Sequence, residues 1–206
     1  MTFAHTIAGS NTILFIDVWT RGGGAGWTTG VTWNGVSASS TNPEVLCATA
    51  SGDEYLQTWV VVGADTGTHN VVVSTTGGTH LIDASATSYT GVRQTAQPDA
   101  KSSQANTLQT NTTATLTTIA DGSWAHLALR SDSGDESAGA GTTMRGGAVA
   151  KIFDGNSEKT PAGSYSLVVN HTSGRTGFQM TSFAPASTGG GGGTITYTHK
   201  QKAIIW

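Results

Sequence analysis

The chain has 206 residues and a formal net charge of −3, with 10 Lys and Arg against 13 Asp and Glu. Charged residues make up 11%, against about 25% in an average soluble domain, and no basic stripe provides the electrostatic footprint of nucleic-acid binding. Hydrophobic residues are 36% and come in short runs, none near the roughly 18 apolar residues of a membrane span, so membrane insertion is excluded too.

Polarity comes from Ser, Thr, Asn and Gln, and 28 Gly supply turns. Thr suits the pleated surface of a strand, and Gly the positive φ of tight turns. The N-terminus, Met1-Thr2-Phe3-Ala4-His5-Thr6, lacks the basic segment, apolar stretch and cleavage site of a secretion signal. That predicts synthesis and folding in a cytoplasm, and suits a phage protein released by lysis.

Residues 11–19 form the first clear strand, with Ile13-Leu14-Phe15-Ile16 apolar on both alternating faces, as in a central strand. The glycine-rich loop 21–26 follows, then Val31-Thr32-Trp33 leading into Asn34-Gly35, a strong hairpin signal. Val45-Leu46-Cys47-Ala48 is apolar and strand-like. It holds the one cysteine, which can form no intrachain disulfide and reads as a small buried hydrophobe. Strands are predicted over 55–62, 69–74 and 80–90. Residues 94–113 are polar and predict a long loop or an edge strand. Further strands are predicted over 114–120, 124–130, 147–153, 164–170 and 175–183. In 124–130, Leu127 and Leu129 share one face, His126 and Arg130 the other. Apolar residues never recur at helical spacing for three turns. The intervals between strands predict an all-β antiparallel sandwich, jelly-roll or Ig-like, over residues 1–188.

The end of the chain differs. Residues 189–193 are five glycines, which predict a flexible linker. Residues 194–206 alternate like a strand and finish Ala203-Ile204-Ile205-Trp206. This apolar end has to dock, either in a groove on its own domain or on a neighbouring subunit. The candidate docking residues are Ile195, Tyr197, Ile204, Ile205 and Trp206. Burying the last three contributes about 5–8 kcal/mol before ordering costs.

Chemistry-bearing residues are sparse. Asp132, Asp135 and Glu136 form the densest acidic patch, without EF-hand spacing, and read as a solvated turn rather than a Ca²⁺ loop. Asp53 and Glu54 are adjacent just before a strand, where neighbouring residues face opposite sides, and so form no acid–base pair. His5, His69, His80, His126, His171 and His199 show no metal-ligand spacing and read as surface or edge-strand residues. The glycine loop lacks the Lys and Ser/Thr of a phosphate loop, and no G-x-S-x-G elbow occurs. No catalytic residue, metal ligand or cofactor-binding residue is assigned, and no cofactor is implied. Trp19, Trp33, Trp59 and Trp124 read as core. Trp27, in the glycine-rich loop beside polar residues, is the candidate glycan contact.

The order of segments resembles a β-sandwich domain family that recurs in phage virion structural proteins and in bacterial surface and secreted proteins. The resemblance rests on Asn11-Thr12-Ile13-Leu14-Phe15-Ile16-Asp17-Val18, Val31-Thr32-Trp33-Asn34-Gly35-Val36, Tyr55-Leu56-Gln57-Thr58-Trp59-Val60-Val61 and Gly67-Thr68-His69-Asn70-Val71-Val72-Val73. Its most distinctive piece is Ala86-Thr87-Ser88-Tyr89-Thr90-Gly91-Val92-Arg93-Gln94-Thr95, and Gly122-Ser123-Trp124-Ala125-His126-Leu127-Ala128 also fits. It spans about residues 5–185. These are packing and turn motifs, specific for fold and weak for activity.

The resemblance implies virion surfaces and adhesion, with no catalytic residues to carry over. The first expectation is therefore a virion structural protein: a head-decoration, collar, fibre or tail component. Its partners would be copies of itself and other virion proteins. The second is a carbohydrate-binding or adhesion module for surface glycans. An enzyme such as a glycan depolymerase is disfavoured by the missing acid–base constellation.

Overall fold

Ile13-Leu14-Phe15-Ile16 is buried on both faces of its strand, and this double burial determines how the chain is layered. In the computed structural model the chain is all-β. The structure describes residues 1–22, 26–49, 52–76, 81–188, 191–192 and 196–204, with the side chains of 29, 106, 187–188, 191–192 and 196–204 excepted. No helix among them is long and apolar enough to cross a membrane.

The first half contains β1 (Thr2–Ile7), β2 (Ile13–Arg21), β3 (Thr28–Trp33), β4 (Val36–Ser37), β5 (Ser39–Ser40), β6 (Val45–Ala48), β7 (Glu54–Val62), β8 (Gly67–Thr75) and β9 (Leu81–Thr90). Asn34 and Gly35 both take positive φ, 47° and 78°, and close a two-residue hairpin in which Trp33 faces Val36. That turn admits Asn and Gly because both tolerate the left-handed region. The outer sheet runs β1-β8-β3-β4, and the inner sheet has β9-β2-β7-β5 with β6 also on β7. Leu14, Ile16 and Val18 on one face of β2 pack with Phe3, Val31, Trp33 and Val71 of the outer sheet.

The second half contains β10 (Ala100–Gln109), β11 (Thr112–Thr117), β12 (Trp124–Ser131), β13 (Ser137–Ala138), β14 (Thr142–Gly146), β15 (Lys151–Gly155), β16 (Ser164–Asn170) and β17 (Gly174–Phe183). Its inner sheet runs β10-β17-β12-β15-β14 and its outer sheet β11-β16-β13. Leu127 and Leu129 pack outward with Leu116, Tyr165, Leu167 and Val169. The inner sheets then meet face to face. Ile13, Phe15 and Tyr89 pack with Phe183 and Trp124; Trp19, Cys47 and Leu56 pack with Ala128 and Ile152. Each large apolar side chain fully buried here contributes about 1.5–3 kcal/mol. The described strands thus form four layers, two sandwiches back to back, within the residues 1–188 predicted as one sandwich. The antiparallel sandwich class holds.

The two halves repeat one topology. In chain order, β1, β2, β3, β5, β7, β8 and β9 take the places of β11 to β17 in the same sheet order. The register agrees. Ile13 faces Tyr89 and Phe15 faces Thr87 in the first half; Trp124 faces Phe183 and His126 faces Thr181 in the second. Matched residues meet across the interface: Phe15 stacks on His126 with centroids 4.6 Å apart and planes at 7°, and Tyr89 lies 4.4 Å from Phe183. They mark an internal pseudo-twofold axis.

Each half also lends a strand to the other. After β9 the chain crosses to form β10 on the edge of β17. After β17 it passes through the short pair β18 (Ser187–Thr188) and β19 (Gly191–Gly192). It then forms β20 (Thr196–Ile204) along β9. The two crossings touch at the axis, where Val92 bridges Pro185 and the Ala186 N–H donates to the Gly91 carbonyl at 2.7 Å.

Several expectations need correction. Thr2–Ile7, unassigned by the apolar pattern, is a strand because His5 is buried at a core position and bonds Ser88 Oγ at 3.0 Å. Of the two readings of the polar stretch 94–113, loop or edge strand, the edge strand is the one found: β10 is stabilised by backbone pairing rather than apolar content. Of the five-glycine run, Gly191 and Gly192 pair with Thr188 and Ser187; the other three lie outside the described residues.

Candidate binding cleft between the two sandwiches

A column of polar side chains threads the interface between the inner sheets. Asp17 on β2 accepts a hydrogen bond from Thr58 Oγ1 at 2.7 Å and faces His126 Nε2 at 2.9 Å. His126 Nδ1 lies 3.2 Å from the Tyr89 hydroxyl, which donates to Asp154 Oδ2 at 3.5 Å. Arg145 Nε donates to Asp154 Oδ1 at 2.6 Å. Burial raises the Asp154 carboxyl above its ordinary range, opposed by Arg145. Burial, and then the Asp154 charge, push the Tyr89 phenol well above its ordinary value. The constellation looks like an acid–base relay, but Asp17, Tyr89, His126 and Asp154 are all buried. Its geometry suits holding two sheets in one register, a role buried polar networks can play when every member is satisfied.

Gln179 of β17 performs a related task. The chain leaves β7 between β5 and β6, so Leu56 O and Thr58 N lose their strand partner there. The Gln179 amide takes its place: Nε2 donates to Leu56 O at 3.0 Å and to Pro43 O at 2.9 Å, and Oε1 accepts from Thr58 N at 3.0 Å.

At the end of the axis away from Val92 and Pro185, the interface opens into a cleft of about 360 Å³. Trp19, Arg21 and Leu81 line it from the first half, and Arg130, Val149 and Lys151 from the second, with Glu54 between. Glu54 Oε2 accepts from the Trp19 indole N–H at 3.0 Å and from Arg130 Nε at 2.8 Å. Arg130 also pairs with Glu136 at 3.5 Å. The Arg21 guanidinium stands 3.8 Å from Glu54 and over the Trp19 ring. Lys151 Nζ donates to the Gly147 and Ala148 carbonyls at 3.0 and 3.1 Å. The lining thus combines three cations, one carboxylate and an apolar wall, drawn from both halves.

No family model, no curated protein and no solved structure matches this chain. The site is therefore read from its own residues.

The residues singled out in the sequence fall elsewhere. Ile195, Ile205 and Trp206 lie outside the described residues. Tyr197 and Ile204 belong to β20, opposite Tyr89 and Ile82. Trp27 is half-buried, 3.5 Å from where a Cβ on Gly22 would stand, and does not line the cleft. The acidic loop does not converge. Asp132 accepts from Thr49 N, Asp135 from Thr172 N, and Glu136 from Ser131 N and Oγ. Far from being solvated, Glu136 is buried. Among the described residues no group of three His, Cys, Asp or Glu is placed to hold a metal.

The histidines also need correction. His126 and His171 are buried, neither on the surface nor on an edge strand, and His5, though on the edge strand β1, is buried too, because each finds hydrogen-bond partners inside. His171 bonds Thr112 Oγ1 at 2.9 Å and the Thr172 carbonyl at 2.8 Å. His69 is half-buried, and His80 lies outside the described residues. Sequence reasoning missed Arg21, Glu54, Arg130 and Lys151 as one cluster. Their one signal is rarity: in a chain with 11% charge, four charged residues stand at strand ends.

Proposed function

We propose that the chain is a structural protein of a phage particle, a head-decoration, collar, fibre or tail component, that acts by self-assembly and surface presentation. The observation that carries this reading is β20. Nine residues pair antiparallel with β9 along their whole length, at the end of a glycine-containing connection. The same register serves a strand arriving from a neighbouring copy, and backbone pairing supplies affinity in such strand addition. The reciprocal placing of β10 and β20 supports it, since the fold already completes each half with a strand from elsewhere in the chain. The action is binding and not catalysis; the buried position of Asp17, His126 and Asp154 favours this, because a reacting group must reach substrate.

Deleting residues 194–206 is expected to leave a folded protein that no longer assembles. Size-exclusion chromatography with electron microscopy checks this, and unchanged assembly would contradict it. The second reading is a carbohydrate-binding or adhesion module, favoured by the aromatic and charged cleft on the internal axis.

A further inference from the structure

The geometry points to the cleft at Trp19, Arg21 and Lys151 as a binding site for acidic glycans, with a ring-borne carboxylate held between the two sandwiches. This inference rests on the carbohydrate-binding reading and names its ligand class. Three observations lead to it.

The first is charge. The chain carries −3 overall, yet the cleft lining presents Arg21, Arg130 and Lys151 against Glu54 alone. Arg130 is matched, with Nε at 2.8 Å from Glu54 and Nη1 at 3.5 Å from Glu136. Arg21 reaches Glu54 only at 3.8 Å and keeps a part-exposed side chain. The hydrogen bonds of Lys151 among the described residues go to carbonyls. Two cations on opposite walls therefore have capacity for an anion, and Arg offers a planar fork suited to a carboxylate.

The second is shape and lining. About 360 Å³ falls in the range of roughly 300–1,000 Å³ typical of small-ligand sites. Leu81, Val149 and Trp19 give an apolar wall beside the cations. A sugar ring carries both faces this needs, C–H groups for the wall and a carboxylate for the cations. A bare inorganic anion would leave the wall unused.

The third is position. Ligand sites favour the junction between packed domains, and the cleft lies on the axis relating the two halves. At two matched places in the interface ring lies against ring, Phe15 with His126 and Tyr89 with Phe183. At the cleft the match breaks: by register Trp19 corresponds to Arg130, giving one asymmetric site per chain.

The test uses the full chain and saturation-transfer NMR with sodium glucuronate, sodium galacturonate and N-acetylneuraminate, against glucose and acetate. At least one acidic sugar is expected to bind, with its ring protons saturated, and glucose and acetate much more weakly. Arg21→Gln with Lys151→Gln should weaken binding by about tenfold or more, the loss of one to two charge-assisted contacts, while the melting temperature stays within a few degrees. Absence of binding by every acidic sugar would overturn the inference, as would binding untouched by the double variant. Neutral-glycan binding that Trp27→Ala abolishes would overturn the cleft while sparing the glycan reading. Acetate binding as tightly as the sugars would overturn the ring requirement. If the double variant melts early, Arg21→Lys decides. It keeps the charge without the fork, and unchanged affinity together with unchanged binding in Lys151→Gln counts against the site.

Discussion

Gln179 is the residue on which the two sandwiches depend most directly, because its one amide completes the broken ladder of β7 from the opposite sheet. Removing it strands a buried N–H and a buried carbonyl, each costing about 1–3 kcal/mol. Gln179→Ala is expected to lower unfolding free energy by about 2–4 kcal/mol, measured by urea denaturation. Gly177, two residues before it, shows how close the sheets come: a Cβ there would stand 2.6 Å from Cys47 Cα. Two buried tyrosines report packing through pH, Tyr89 at this interface and Tyr165 inside the second sandwich. Burial pushes Tyr165 up to about 12 and Tyr89 well above its ordinary 10.0. Their folded values exceed their unfolded ones, so the native state holds these protons longer. The stability they contribute is whole below about pH 10 and is lost as pH rises through the folded values. Absorbance titration should show these two phenols ionising late, and chemical denaturation should show stability falling above about pH 10.

At the scale of elements, legibility followed burial geometry. The run Ile13-Leu14-Phe15-Ile16 announced a strand covered on both faces, and β2 is one. Asn34-Gly35 announced its hairpin, and Tyr165, Leu167 and Val169 alternate inward in β16 as their spacing predicts. The failures have physical reasons. The residues of β10 fit a loop as well as the edge strand found, because backbone pairing with β17, not apolar content, holds it. β1 hides behind His5, a polar residue at a core position made tolerable by Ser88. β9 and β17 stand where strands over 80–90 and 175–183 are predicted, although small residues such as Ala84, Ala86, Ser88 and Ser182, which fit between closely packed sheets, dilute the apolar pattern there. The cleft was illegible because its charged residues come from strands far apart in sequence and converge only when the halves dock.

For the whole molecule, the repeated topology leaves only a faint trace in sequence, Thr87-Ser88-Tyr89 against Thr181-Ser182-Phe183. It emerges from register and strand order, which residue patterns do not encode. The two sandwiches share a buried polar column and exchange edge strands, so they should unfold as one unit. Calorimetry is expected to give a single transition whose calorimetric and van't Hoff enthalpies agree. His126→Ala should lower its midpoint, by breaking the Asp17 contact and the stack on Phe15; two separate transitions in the unaltered chain would contradict the coupling.

Assembly by the terminal strand makes the sharpest demand. Thr196 lies opposite Thr90 in the β20–β9 register, so cysteines at both positions report which chain supplies the strand. Oxidised, assembled material is expected to run as disulfide-linked multimers on a non-reducing gel, one chain's β20 lying on the next chain's β9. Full assembly with the bond confined to single chains would contradict it.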